Sequence, residues 1–244
     1  SDKSPVEVYV HEQSPEIAQG VKKKGAGDQG MMFGFACRQT SELMPIPIMI
    51  AHDLVRKIDS VREGKVLPYL RPDGKSQVTV QYRDGKPVGI AQVVIAVPHD
   101  EKVTNSQVKE DIFKNVVLPV LKKYGFKIAK KDLLVNGTGA WHIGGPASDT
   151  GLTGRKIAID SYGGWARVGG GCFSGKDPTK VDRSAAYMAR FVAKNLVAKG
   201  YARRCLVSVA YAIGKAEPLM ISAINEKGKS LTSLVKKKYD FRPL

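Results

Sequence analysis

The sequence predicts an α+β protein built from repeated units, each a β-hairpin followed by a helix. At 76–124 and again at 205–241, an alternating apolar hairpin leads into a segment with helical spacing. Because this order occurs twice, we expect related α+β units rather than one wound sheet. A strand predicted over Val6–Val10 has no earlier segment to pair with, so we expect the first unit to be incomplete.

Each predicted element has its own signal in the sequence. Thr104 and Gln107 stand at capping-box spacing, and Gly125 ends the helix that they begin. The pair Asp84-Gly85 between two alternating segments predicts a tight hairpin turn. The other predictions, in chain order, are a mobile loop over Gln13–Lys24, a helix over Ile48–Glu63, short strands at Leu133–Val135 and Ile157–Asp160, a second hairpin at Cys205–Ile213 and Met220–Asn225, and a helix at Leu231–Phe241.

The stretch with the most chemistry is GGGCFSGKDPTKVDRSAAYMAR, at 169–190. Asp177 followed by Pro178 predicts the cap and first residue of a helix that ends at Gly200. Lys176 would then lie directly before the helix N-terminus, beside the glycine amides. Free N–H groups, the helix dipole and ammonium charges together predict a polyphosphate site.

Two other interpretations compete with this one. Gly170–Lys176 matches the pattern GxxxxGK, but a P-loop needs Ser or Thr next to ligate magnesium, and Asp177 stands there. A carboxylate would face the phosphates, so the P-loop interpretation is disfavoured. A glycine-rich turn that caps a surface helix, with lysines such as Lys180 merely solvated, remains open.

Composition narrows the class of partner. Lys and Arg number 39 against 23 Asp and Glu, a net charge of +16, which favours an anionic partner. The basic residues are scattered and no zinc or RNA-binding motif is present, so a nucleotide is favoured over nucleic acid. No apolar run approaches a membrane span, so we expect no membrane partner. Three cysteines without metal spacing fit a reduced, cytoplasmic protein.

Two glycine-rich loops carry further candidate residues. Asp28 is the lone charge in GAGDQGMMFGF, where it could accept a ligand hydrogen bond or close a structural Asx-turn. Trp141 lies in the glycine-dense segment 136–146, where its ring could stack on a purine or fill a core.

Cations also flank predicted turns and strand ends. Lys75 follows the Asp73-Gly74 turn at the start of a strand. Arg155 and Lys156 precede a predicted strand, about twenty residues ahead of the glycine–lysine stretch, so they could converge with it on one anion. Solvated surface charges are the alternative.

Taken together, these segments resemble the S-adenosylmethionine synthetase (methionine adenosyltransferase) family. GAGDQGMMFGF and GGGCFSGKD are similar to its two signature segments, with Cys172 where the family has Ala or Ser. SPEIAQG, LRPDGKSQVT, DTGLTGRK, YGGWAR, DPTKVDRSAAY and YAIGKAEP are also similar to family segments. The resemblance covers nearly all 244 residues.

The resemblance implies a pseudo-threefold fold and a transferase reaction. Methionine sulfur would attack C5′ of ATP, and the expelled tripolyphosphate would be hydrolysed to phosphate and pyrophosphate. The family also implies two Mg²⁺ ions per site, K⁺, and a homodimer or dimer of dimers with its site between subunits.

Site residues follow position by position from the same resemblance. ATP-binding positions are Asp73, Gly74, Lys75, Ala140, Trp141, Asp149, Arg155, Lys156, Cys172 and Lys176, and of these Lys75, Arg155, Lys156 and Lys176 are catalytic. Asp28, the candidate acceptor noted above, is added to the ATP-binding set. Methionine-binding positions are Gln13, Asp149 and Lys180, and Asp182 matches a magnesium-associated acid.

The departures from the family pattern set further expectations. Trp141 replaces a stacking Phe, and Ala140 and Gly137 replace the usual Arg and Pro. The family's GHPDK segment and its C-terminal end are not in the sequence, so we expect domains at 1–23 (a remnant of an N-terminal domain with the mobile loop), 24–146 (central) and 147–244 (C-terminal, truncated). A truncated, non-catalytic nucleotide-binding subunit is the alternative function.

Overall fold

The computed structural model describes residues 5–12, 14–22 and 24–243. Its elements, in chain order, are α1 (Pro15–Lys22), β1 (Gly30–Cys37), α2 (Ile46–Glu63), β2 (Lys75–Arg83), β3 (Lys86–Ala96), α3 (Asn105–Ile112), a π-helical segment (Phe113–Val117), α4 (Leu118–Lys123), β4 (Leu133–Val135), α5 (Ile157–Asp160), α6 (Val181–Ala198), β5 (Arg204–Tyr211), β6 (Met220–Asn225) and α7 (Thr232–Lys238). The chain forms two compact units, 37–166 and 1–36 with 167–244. None of the described helices is long and apolar enough to cross a membrane.

The unit 37–166 contains a three-stranded sheet in the order β2-β3-β4. β2 and β3 are antiparallel and β3 and β4 are parallel. Asp84 and Gly85 have φ values of +50° and +73°, the backbone of a tight hairpin turn, which confirms the predicted hairpin. The fully buried Ile50, Leu54 and Ile58 of α2 belong to one apolar core with the inner residues of β3. Burial of this helical stripe stabilises the unit.

The helix that follows begins as predicted. The side chain of Thr104 accepts a hydrogen bond from the Gln107 backbone N–H at 3.3 Å, which caps α3. The helical path continues through the π-helical segment to the end of α4, and Gly125 follows with φ +75°. The predicted capping signal and the glycine end are therefore confirmed.

The other unit contains a sheet in the order β1-β5-β6, with β5 and β6 antiparallel. α6 packs along β5 and buries one apolar stripe that includes Val181, Val192 and Leu196. Gly34 of β1 lies against the backbone of α6 at Ala189, an approach that leaves no room for a side chain. The second predicted hairpin and its helix are confirmed at these positions.

Three predicted elements are wrong. Val6–Val10 is exposed and forms no strand, because no described strand pairs with it. The predicted loop at Gln13–Lys24 contains α1, which starts with Pro15 at a favourable first helical position. Ile157–Asp160 is a helical turn rather than a strand, and Ser161 Oγ donates to the Ile157 carbonyl at 2.8 Å.

The structure confirms the α+β class. Four statements stay predictions. They are the relatedness of the two hairpin–helix units, the pseudo-threefold arrangement, the incomplete first unit and the three predicted domains.

A partly buried carboxylate connects α2 to the end of α4. Asp53 accepts hydrogen bonds from Lys123 Nζ at 2.7 Å, from the Tyr124 hydroxyl at 2.8 Å and from Arg56 at 2.9 Å. Burial alone would raise the pKa of Asp53, but the hydrogen bonds from Lys123 and Tyr124 outweigh it and lower that pKa below its usual value.

We expect Asp53→Asn to lower the free energy of unfolding by about 1–3 kcal/mol at pH 7. A lowered pKa means that the ionised form stabilises the fold above the unfolded-state pKa, and that this stabilisation is lost as the pH falls through the folded-state pKa. The difference in the free energy of unfolding between the variant and the wild type should therefore shrink as the pH falls below the unfolded-state pKa, in urea unfolding at pH 7 and at a series of acidic pH values. Asp59→Asn, which removes a more exposed carboxylate 3.1 Å from Arg62, is the control and should cost at most about 0.5 kcal/mol. An equal loss in both variants would contradict the assignment.

Candidate active site

One cluster of candidate residues lies in the unit 37–166, where the chain enters β2. Asp73 adopts φ +81°, and Gly74 after it packs against Ile58. The Lys75 ammonium lies 3.8 Å from Asp73 Oδ2 and 4.9 Å from the centroid of the Trp141 ring. A cation at this distance from an indole is attracted to the ring face. The structure thus brings Asp73, Gly74, Lys75 and Trp141 together.

Trp141 is held by its backbone and by its indole. Its carbonyl accepts a hydrogen bond from the His99 N–H at 2.9 Å, and its Nε1 donates to the Ile143 carbonyl at 2.5 Å. Arg71 donates to the His142 carbonyl at 2.6 Å, which fastens the next residue. The indole is therefore half-buried with a fixed orientation, beside the exposed Ala140.

Sequence reasoning missed two residues that support this segment. His99 is fully buried, and its carbonyl lies 3.0 Å from His142 Nδ1. The Asn136 side-chain amide bonds both the N–H and the carbonyl of Val97, at 2.9 and 3.1 Å. Asn136 has φ +47°, and the Asn-Gly pair at 136–137 was the available signal for such a turn.

Gly145 connects this cluster to Asp149. Its N–H donates to Asp73 Oδ2 at 3.4 Å, and its carbonyl accepts from the Asp149 N–H at 3.0 Å. Asp149 then lines an open depression with Arg155 and Lys156, both exposed. This depression is cationic and open to solvent, so it can accept an anion. Because Ile157–Asp160 is a helical turn, these cations flank a turn and not a strand.

A second cluster lies in the other unit, around Lys176. The Lys176 ammonium donates to Asp182 Oδ2 at 2.5 Å, and both side chains are about one-quarter exposed, at 24% and 22%. The Asp182 carboxylate lies directly against Gly171, where any Cβ would overlap it. The glycine run therefore has a steric function here: it admits the carboxylate that holds Lys176.

The predicted helix start at Asp177-Pro178 is wrong. α6 begins at Val181 with Lys180 as its N-cap. Asp177 instead closes its own turn, since its Oδ1 accepts from the Thr179 hydroxyl at 2.6 Å and from the Thr179 N–H at 2.8 Å. Those hydrogen bonds lower the pKa of Asp177. Lys176 is therefore oriented by an ion pair to the first turn of α6 and not by adjacency to the helix terminus.

The loop that carries Asp28 packs against the same turn. The Gly27 N–H donates to the Thr179 carbonyl at 3.0 Å, and a Cβ on Gly27 would lie 2.8 Å from that oxygen. Asp28 is exposed, and its Oδ1 accepts from the Gln29 N–H at 2.8 Å. A Cβ on Gly27 would also lie 3.5 Å from Lys180 Cδ, so the residue before Asp28 lies beside the Lys180 side chain. The half-exposed Cys172 is a free thiol.

Asp182 is the only acid that we predicted for magnesium. Within the described parts of the chain, no three His, Cys, Asp or Glu side chains gather as a metal-binding group. A single carboxylate fits Mg²⁺ as one ligand, since this ion commonly takes its other ligands from substrate phosphates and water. Gln13, predicted to contact methionine, lies outside the described residues.

Two family models match most of this chain. Residues 23–141 match the central domain of S-adenosylmethionine synthetase, and residues 143–244 match its C-terminal domain. The chain belongs to the S-adenosylmethionine synthetase family, which confirms the resemblance seen in the sequence.

Three relatives named S-adenosylmethionine synthase illustrate the similarity. Identity is 50% to that of Pseudothermotoga lettingae, over 96% of this chain and 65% of the relative. Identity to the synthase of Maridesulfovibrio salexigens is 53%, over 96% of this chain and 62% of the relative. Identity to the synthase of Trichodesmium erythraeum is 48%, over 100% of this chain and 65% of the relative. The chain thus spans somewhat under two thirds of the length of these relatives.

Proposed function

We propose that the chain is the central and C-terminal part of a methionine adenosyltransferase, a transferase that forms S-adenosylmethionine, phosphate and pyrophosphate from ATP, L-methionine and water. The observation that carries this proposal is its identity of about one half to proteins named S-adenosylmethionine synthase. The methionine sulfur attacks C5′ of ATP in line with the leaving tripolyphosphate, which the same site then hydrolyses.

The cations of the two clusters have the charge that this reaction requires. Negative charge grows on the tripolyphosphate as the C5′–O bond breaks, and fixed cations in a partly dry site stabilise it. We assign this function to Lys75, Arg155, Lys156 and Lys176. The pairing of Lys176 with Asp182 supports the assignment, because an ammonium that is already oriented needs little rearrangement to meet a phosphate.

The remaining assignments concern binding. Adenine stacks on Trp141, whose orientation is fixed before any ligand arrives. The other ATP-contacting positions are Asp28, Asp73, Gly74, Ala140, Asp149 and Cys172, and the methionine-contacting positions are Gln13, Asp149 and Lys180.

Metal ions complete the proposed chemistry. Asp182 would hold one of two Mg²⁺ ions together with substrate phosphates. When bound, Mg²⁺ neutralises phosphate charge and orients the leaving group. K⁺ is a further proposed cofactor, although we assign it no residue.

We also propose a homodimer, or a dimer of dimers, with the site at the subunit interface. A cytoplasmic location fits the reduced thiols of Cys172 and Cys205.

The test is product formation by the protein made from its complete coding sequence. Incubation with ATP, L-methionine, Mg²⁺ and K⁺ should give S-adenosylmethionine, phosphate and pyrophosphate, detected by mass spectrometry and phosphate assay. Nucleotide binding without any product would favour a non-catalytic nucleotide-binding subunit instead. If the protein neither binds nucleotide nor forms product, the proposal is refuted.

We expect Trp141→Ala to raise KM for ATP about tenfold, because stacking of a base on an aromatic ring is worth on the order of 1–3 kcal/mol. Trp141→Phe keeps a stacking ring and should stay within about threefold of wild type. Tyr201→Ala is the control, since Tyr201 also lies beneath a lysine, with Lys238 Nζ 5.5 Å from its ring centroid, but has no proposed function. Steady-state kinetics at saturating methionine measures all three variants. An unchanged KM for ATP in Trp141→Ala would exclude stacking on this ring.

A further inference from the structure

The loop that ends in Lys176 is fastened to α6 by an arginine and a tyrosine. Arg183 Nη1 donates to the Lys176 carbonyl at 2.6 Å. The Arg183 guanidinium carbon lies 5.5 Å from the centroid of the Tyr187 ring. The rings of Tyr187 and Phe173 are 5.6 Å apart, centroid to centroid. The contacts form a continuous path from Phe173 through α6 back to Lys176.

The spacing along α6 accounts for this geometry. Arg183 and Tyr187 are four residues apart, so they share one face of the helix. An arginine that lies over an aromatic ring has its torsions restricted, and its N–H groups then point in fixed directions. One of those directions is occupied by the Lys176 carbonyl.

Lys176 is therefore held at two points by neighbouring residues of the first turn of α6. Arg183 holds its backbone carbonyl, and Asp182 holds its ammonium. A lysine ammonium has three N–H donors, so a polyphosphate can accept a second one while the first stays on Asp182. The backbone contact with Arg183 would also stay in place, and the Lys176 Cα would keep its position.

We propose that Arg183, supported by Tyr187, is the positioning residue for Lys176: it sets where the ammonium can reach and touches no substrate itself. This inference rests on the proposed function of Lys176 in phosphate binding. It predicts that replacing Arg183 lowers kcat only when Lys176 is present.

A double-mutant cycle in the complete protein tests this inference. Arg183→Met removes the donor but keeps the length of the side chain, and it should lower kcat about tenfold with KM for ATP within about twofold. Arg183→Lys keeps a donor and should recover part of the loss. In the Lys176→Ala background, Arg183→Met should lower kcat by less than about twofold, because the residue that it positions is gone.

Arg190→Met is the matched control on the same helix. Arg190 also donates to a backbone carbonyl at 2.7 Å, but that carbonyl belongs to Phe35 in β1 and not to the Lys176 loop. The fold-losses in kcat of Arg190→Met and Lys176→Ala should multiply in the double variant. If the fold-losses of Arg183→Met and Lys176→Ala also multiply in their double variant, Arg183 is merely structural and the inference is overturned. If Arg183→Met does not fold, Arg183→Lys decides through the same cycle.

A wild type without adenosyl transfer would instead refute the proposed function. The kcat cycle cannot then be run, and Arg183 is judged by binding of inorganic tripolyphosphate, measured by calorimetry. Weaker binding in Arg183→Met than in wild type, with no further loss in the Lys176→Ala background, would support positioning. Equal binding would overturn it.

Discussion

Replacement of Lys176 by alanine is expected to lower kcat by about two to three decades while KM for ATP changes much less. A preorganised charged contact to a group that gains charge in the transition state is worth roughly 2–4 kcal/mol, and each 1.4 kcal/mol is a factor of ten. The ammonium is already oriented by Asp182 at 2.5 Å, so the contact with the phosphates needs little rearrangement. The measurement is steady-state kinetics of S-adenosylmethionine formation by the complete protein.

Lys199→Ala is the control for this prediction. Lys199 is the C-cap of α6 and is exposed, so its replacement makes the same change in net charge at the far end of the same helix. Lys176→Ala also leaves the partly buried Asp182 without its ion pair, which should cost about 1 kcal/mol of stability. Thermal unfolding of both variants separates that loss from a loss of catalysis. Equal kinetics in the two variants would mean that the glycine–lysine loop is a plain surface turn.

The elements predicted correctly are those whose signals are local. The turn at Asp84-Gly85 needs positive φ at consecutive residues, and the Thr104 cap needs an acceptor beside free N–H groups. The buried stripe of α2 follows from spacing alone. No distant residue is needed for any of these structures to form.

The start of α6 shows why a local signal can fail. Asp followed by Pro is typical both of a helix start and of a tight Asx-turn. The Thr179 hydroxyl and N–H supply donors two residues ahead, and they draw the Asp177 side chain into the turn. The helix then begins at Val181, and its predicted first turn is lost.

The candidate site was predicted residue by residue but not as a set of contacts. The ion pair of Lys176 with Asp182 could not be foreseen, because Asp182 was assigned to a metal ion and the loop path was unknown. Gly145 connects Asp73 to Asp149 across more than seventy residues of sequence, through hydrogen bonds that no periodicity encodes. The assignment of these residues to ATP and methionine stays a prediction.

Replacement of Gly34 should have an effect of similar free energy to that of Lys176→Ala, but on the stability of the fold. It is buried in β1, where the strand crosses α6, and a Cβ at this position would overlap the backbone at Ala189 and Arg190. Backbone cannot rotate away as a flexible side chain could. The strand and the helix would have to separate, and the core between them would lose close packing.

We therefore expect Gly34→Ala to lower the free energy of unfolding by about 3 kcal/mol, the upper part of the range for overpacked cores. Gly170→Ala is the matched control, because a Cβ there meets no atom within 4 Å, and its effect should stay within about 1 kcal/mol in either direction. Urea unfolding gives both values. Amide hydrogen exchange should show the loss of protection in α6 and β1 first, because that is where the added methyl group separates the elements. A Gly34→Ala protein with the midpoint of wild type would mean that β1 and α6 do not approach each other this closely.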